Sequence, residues 1–255
     1  MTDGPQQGEA LAEGTLLSHL VELRSRLVKI AAAVIGLFAV LLPFNQSIFE
    51  LVSRPLLAAV PGGQMIITGA AAPLLVPFKL TFLVSLFLAM PVVLYQIWAF
   101  VAPGLYKKEK RFALPLLASS ILLFYAGVAF AYYVVFPLIF GFFASINIEG
   151  APWTPDIASY LDFITSIVLA FGIAFEVPIA TVLIVWTGLT TPQKLSKARP
   201  YVFLMAFVVG MLLTPPDVIS QTLLAIPVYL LYEGGIVMSR LFTKKPEEAE
   251  TVTVE

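Results

Sequence analysis

The positive charges of this chain fall into four short clusters separated by long apolar runs, and the connections between clusters carry almost none. Arg24, Arg26 and Lys29 open the first run; Lys107, Lys108, Lys110 and Arg111 follow the second. Lys194, Lys197 and Arg199 follow the fourth, and Arg240, Lys244 and Lys245 follow the last. The remaining connections hold only Arg54, with Lys79 just inside a span. Loops rich in Lys and Arg stay on the cytoplasmic side of a bilayer, so this asymmetry predicts an even number of crossings with both termini inside. Hydrophobic residues make up 59% and charged residues 12% of the 255, against roughly half and about a quarter in soluble domains. Lipid rather than water is the expected solvent for most of the surface.

Six apolar runs read as spanning helices, at 27–44, 74–101, 112–136, 160–186, 201–213 and 218–238. The fold class that follows is all-α: a polytopic membrane protein with six transmembrane helices. A spanning helix takes about 20 residues to cross ~30 Å of hydrocarbon. The fifth run is short by that measure, reaching only about 20 Å at ~1.5 Å per residue. The turn that follows it, Thr214-Pro215-Pro216-Asp217, cannot lie bare in lipid, so either the bilayer thins there or protein and water cover the turn. The third run has the opposite excess, continuing past Pro137 through Phe143, and is expected to project beyond the membrane and bend onto its surface. Pro91, Pro115, Pro137, Pro178 and Pro227 lie inside or near the ends of spans. Each removes a backbone donor and favours a kink, although membrane helices also tolerate proline without one. Flanking a transmembrane domain at 16–240, residues 1–15 form a polar N-terminal tail without the basic region of a cleavable signal peptide. Residues 241–255 read as a disordered acidic cytoplasmic tail. The halves show no internal repeat, which weakens an inverted-repeat transporter.

Residues 16–27 read as an amphipathic helix running into the first span, with Leu16, Leu20, Leu23 and Leu27 on one stripe and Glu22, Arg26 and Lys29 on another. Glu22 and Arg26, at i and i+4, read by themselves as a helix-surface pair worth about 0.2–0.5 kcal/mol. In the second cytoplasmic connection, Glu109 is one carboxylate among four cations, which hold it ionised. A solvated surface pair is one reading. The other is a carboxylate that receives an incoming guanidinium, flanked by the apolar platform of Phe100, Leu105 and Tyr106, because a carboxylate matches arginine bidentately as it cannot match lysine. Glu176 lies near the middle of the fourth span, where an ionised carboxylate is costly and marks function by default; the other reading is a structural hydrogen bond to another helix. Asp217 and Gln221 form a second polar pair where the sixth span begins, and Asp217 is placed to cap that helix.

There is no cysteine and a single histidine, His19, so no disulfide, thiol nucleophile or metal site is expected, and no cofactor. No glycine-rich phosphate loop, zinc-protease motif or Gly-x-Ser-x-Gly elbow occurs. The chain is therefore read as a non-enzyme that draws its energy from an ion gradient, and no broadly basic surface offers itself to nucleic acid. A proton-coupled small-solute transporter built on Glu176 is the alternative.

Four stretches, HLVELRSR at 19–26, YQIWAFVAPGLY at 95–106, FEVP at 175–178 and VGMLLTPPD at 209–217, resemble the TatC family of twin-arginine translocase receptors. The resemblance runs from about 18 to 240. It implies a cup-shaped, six-helix protein of the bacterial cytoplasmic (inner) membrane that binds twin-arginine signal peptides of folded cargo. It further implies the single-span proteins TatA and TatB as partners, self-association in a larger complex, and the proton-motive force as energy source. Carried over by position, Glu22 and Glu109 resemble the carboxylates that meet the twin arginines, with Arg24, Phe100, Leu105, Tyr106 and Lys107 shaping the site. Pro55 resembles a functionally sensitive proline outside the first span, Glu176 the family's intramembrane carboxylate, and Asp217 and Gln221 its polar group near the outer end of the last hairpin.

Overall fold

A peptide group in hydrocarbon has no water to bond, so a single apolar run must close its own hydrogen bonds, and helix does this within one segment. The computed structural model describes residues 6–60, 64–101, 113–146, 154–214 and 217–242. These are helical apart from short connections, one of which carries an isolated parallel bridge between Ile66 and Asp156. In chain order, α1 is Gln6–Leu41, followed by a 3₁₀ turn at Leu42–Phe44 and α2 at Asn45–Ala59. Then come α3 (Ala72–Leu88), α4 (Met90–Val101), α5 (Ala113–Phe130), a π-turn at Ala131–Val135 and α6 (Phe136–Ser145). The chain continues with α7 (Ile157–Ala174), α8 (Val177–Trp186), the short α9 (Pro192–Lys197), α10 (Arg199–Leu213) and α11 (Val218–Phe242).

Four stretches are long and apolar enough to cross a membrane: Leu20–Ala59, Leu114–Ser145, Ile157–Trp186 and Val218–Leu241. A fifth is the pair Ala72–Leu88 and Met90–Phe100, bent by 49°. The 15 residues of α10 rise only about 22 Å, below the ~30 Å of a hydrocarbon core. The chain is a multi-pass membrane protein in which the described parts of the six apolar runs are helical, while α2 carries the first stretch past the expected end at 44 to Ala59. Exposed Leu27, Ile35 and Val40 on α1 and Leu204 and Leu212 on α10 are what a lipid-facing surface requires.

Proline explains where the runs break. Pro91 lacks the donor that Phe87 would accept, and the chain bends at Ala89. Pro178 does the same to Ala174, and α7 ends in a turn at Phe175 and Glu176 before α8 resumes. Pro43 sits in the 3₁₀ turn after α1. The third run differs from expectation: it does not bend away at Pro137 but continues as one stretch of 32 residues. A π-turn ending at Val135 absorbs the register change ahead of that proline. At ~1.5 Å per residue the stretch is about 48 Å long and overreaches the hydrocarbon. Its end is held by Phe140, whose ring lies 5.7 Å from Tyr160 and 5.9 Å from Phe163. α11 likewise passes through Pro227 unbroken. α1 starts at Gln6, well before the amphipathic segment expected from 16, because Gln, Glu, Ala and Leu there are strong helix formers.

The chain divides into two compact units, Met1–Ser53 with Ile67–Leu117, and Arg54–Ile66 with Ala118–Glu255. In the first, α1 packs on α3 and α4, and Phe38 meets the rings of Phe78 and Phe82 at 6.5 and 6.0 Å. In the second, α11 packs on α8 and α10. Small residues let these backbones approach, as membrane packing demands. A Cβ on Gly127 would lie 2.5 Å from the Phe171 carbonyl oxygen, whereas one on Gly141 meets nothing within 4 Å. Gly127→Ala should therefore force α5 off α7 and destabilise by about 1–3 kcal/mol, lowering the thermal unfolding midpoint in detergent, while Gly141→Ala leaves it unchanged. Equal midpoints for the two variants would contradict this packing.

Candidate functional site

The polar face of α1 meets the end of α4 through one guanidinium. Arg26 donates to Glu22 Oε1 from Nε at 3.0 Å and from Nη2 at 2.5 Å, the pair expected from their i, i+4 spacing. It also donates from Nη1 to Gln96 Oε1 at 3.2 Å and from Nη2 to the Ala99 carbonyl at 3.0 Å. Ala99 lies in the last turn of α4, where carbonyls lack intrahelical partners and the helix dipole is negative, so a cation is stabilised there. The Arg26 side chain is 19% exposed and that of Glu22 40%. Glu22 thus keeps a solvent-facing carboxylate, and among the described residues its Oε2 accepts no hydrogen bond. One turn away, Val21, Arg24, Ser25, Val28 and Lys29 line a shallow groove on α1. Phe100 is exposed at the end of α4. Leu105, Tyr106, Lys107 and Glu109, expected to complete this site, lie outside the described residues.

Glu176 occupies the turn between α7 and α8, where the break in the helix makes room for a polar side chain. It accepts a hydrogen bond from the Ser120 hydroxyl of α5 on Oε2. Its Oε1 is buried with no hydrogen-bond partner among the described residues. An unpaired buried acceptor is costly, and Glu176 is one of the polar groups buried in the second unit, with Ser220 and Thr165 among the others. Asp217 caps α11 as its position suggests, accepting from the Ser220 amide at 2.6 Å. Gln221 donates from Nε2 to the Phe207 carbonyl at 2.8 Å, tying α11 to α10 above Gly210. Pro55 lies half-buried inside α2.

Two features escaped the sequence reading. Gln96 is 8% exposed and sits within an apolar run, where its role as an anchor for Arg26, 70 residues away, leaves no local signal. Glu233, in the last span, pairs with Arg199 (Nη2 to Oε2, 2.7 Å) and accepts from the Tyr229 hydroxyl at 2.9 Å. Tyr232 donates to the Leu195 carbonyl at 2.8 Å and Arg240 to Ser196 at 2.6 Å, so α9 and the start of α10 are fastened to α11. A carboxylate inside the last apolar run was the available clue to Glu233, and its partner, 34 residues earlier, left none. Among the described residues no cluster of His, Asp and Glu is fit to hold a metal ion.

The family model of TatC, the Sec-independent protein translocase protein, matches residues 18–227. The Sec-independent protein translocase protein TatC of Azotobacter chroococcum mcd 1 is 57% identical over 235 residues, covering 92% of this chain and 92% of that protein. Its counterpart from Escherichia coli (strain K12) is 56% identical over 236 residues, again covering 92% of each. A crystal structure of the twin-arginine translocase receptor TatC superposes with a TM-score of 0.78 at 38% identity, over 88% of this chain and 98% of that one.

The Glu176 geometry makes its own prediction. Glu176→Gln keeps an oxygen to accept from Ser120, whereas Glu176→Leu removes it, so the Gln variant should lose less stability in detergent. Ser120→Ala and Glu176→Leu should couple by about 0.5–3 kcal/mol in a double-mutant cycle, as residues sharing a hydrogen bond do. Strict additivity, or a Gln variant as unstable as the Leu variant, would contradict the contact.

Proposed function

The chain belongs to the TatC family, and from that premise we propose that it is the receptor subunit of a twin-arginine translocase, binding the signal peptides of folded proteins at its cytoplasmic face. It resides in the bacterial cytoplasmic membrane with both termini inside, as the four basic clusters favour. It works with TatA and TatB in a larger complex and uses the proton-motive force, since nothing in the sequence binds a nucleotide. The twin arginines are received by Glu22 and Glu109, with Arg24, Phe100, Leu105, Tyr106 and Lys107 shaping the surroundings. Asp217, Gln221 and Glu176 offer polar groups to single-span partners, for which interhelical hydrogen bonds of roughly 0.6–2 kcal/mol suffice to bias docking. Pro55 belongs to the outer part of the same partner-sensitive surface.

The observation that carries this reading is the state of Glu22. Its carboxylate is fixed on one oxygen by Arg26 and open to solvent on the other, beside the helix end that leads into the connection bearing Glu109. Oε2 is left to accept from an arriving guanidinium, whose spread of planar donors an ammonium does not reproduce. If both carboxylates receive arginine in a partly desolvated pocket, removing one costs about 2–5 kcal/mol, whereas an exposed loop pair costs roughly 0–1 kcal/mol. Glu109→Ala and Glu22→Ala should each abolish crosslinking of a twin-arginine peptide without lowering the amount of inserted protein. Unchanged affinity in both variants at matched ionic strength would remove these carboxylates from the mechanism.

A further inference from the structure

We infer that Gln96 and Arg26 are positioning residues for the signal-peptide site, acting in series: α4 holds Arg26, and Arg26 holds Glu22 with one oxygen presented. This rests on the reading of Glu22 as a receiver of arginine. A part-exposed side chain within α1 has no reason of its own to hold one rotamer, since a surface i, i+4 pair is worth only about 0.2–0.5 kcal/mol. Here the guanidinium is not a surface group. It is anchored on a buried amide oxygen, Gln96 Oε1, and on the Ala99 carbonyl, both on α4.

With those two acceptors fixing the plane of the guanidinium, both of its bonds to Glu22 fall on the same oxygen, Oε1. Oε2 is left over, on a side chain still 40% exposed. Had Arg26 met Glu22 as a parallel fork, each oxygen would already carry one bond and neither would be wholly open to an arriving arginine. The one-oxygen contact instead orients the carboxylate and leaves half of its accepting capacity free. Gln96 itself has no need to touch the peptide. Lysine at position 26 keeps the charge but cannot reach Glu22, Gln96 and Ala99 together, because an ammonium lacks the spread of the guanidinium donors.

The test measures the affinity of a fluorescent twin-arginine signal peptide for inverted membrane vesicles holding the full chain and its partners, normalised to inserted chain. Gln96→Leu and Arg26→Lys should each weaken binding about five- to tenfold, the size of a coupling within one hydrogen-bond network. In a Glu22→Ala background, titrated with peptide concentrations raised until its weaker binding is measured, neither substitution should weaken it further, because their effect runs through that carboxylate. A Gln96→Leu loss of the same size with and without Glu22 overturns the inference, since it marks general damage to the α1 and α4 contact. Loss in Glu22→Ala with none in Gln96→Leu overturns this inference alone. No loss in Glu22→Ala overturns it together with the site reading beneath it.

Discussion

Hydrocarbon offers no hydrogen-bond partner to a peptide group, and the architecture of this chain follows from that absence. Helices run unbroken where lipid touches them, as along the exposed faces of α1 and α10. Among the described residues the breaks inside the second and fourth runs fall at proline, and the consequences differ with what surrounds the break. At Pro91 the chain bends by 49° and stays apolar. At Pro178 the break carries Glu176, whose carboxylate is answered by Ser120 from α5. Before Pro137 a π-turn lets the helix continue beyond the length that the membrane needs. The same rule constrains the ends: Asp217 supplies the amide of Ser220 with an acceptor where α11 begins, and Arg26 supplies the Ala99 carbonyl with a donor where α4 is ending.

In the proposed reading, function on this scaffold depends on where charge is held. Two polar assemblies are built from residues distant in sequence. One joins Glu22, Arg26 and Gln96 in the first unit; the other joins Arg199, Glu233 and Tyr229 in the second. They differ in purpose. Glu233 is met by both a guanidinium and a hydroxyl, which fastens the start of α10 to α11, whereas Glu22 is only half engaged and stays open to water. A receptor for a charged peptide needs the second kind of group, a carboxylate held in place without being used up.

The legible part of the sequence was what repeats or stands out locally. Long apolar runs marked the helices, the prolines marked most of the breaks, and Glu176 stood out as a carboxylate in an apolar span. The Glu22 and Arg26 pair was visible from i, i+4 spacing. What was hidden was long-range: Gln96 lies 70 residues from Arg26, and Glu233 lies 34 from Arg199. Pairing at such separation is set by helix packing, which no local pattern encodes. The continuity of the third run through Pro137 was missed for a different reason, because a π-turn is a backbone adjustment with no side-chain signature.

The central claim is that an arriving twin-arginine peptide docks on α1 beside Glu22. Val21 is exposed and adjacent to it, so a photo-crosslinking amino acid at position 21 reports docking without touching a charged residue. The account predicts a crosslink to a twin-arginine signal peptide that is lost when both arginines are replaced by lysine. An absent crosslink, or one of equal yield with the lysine peptide, would contradict it.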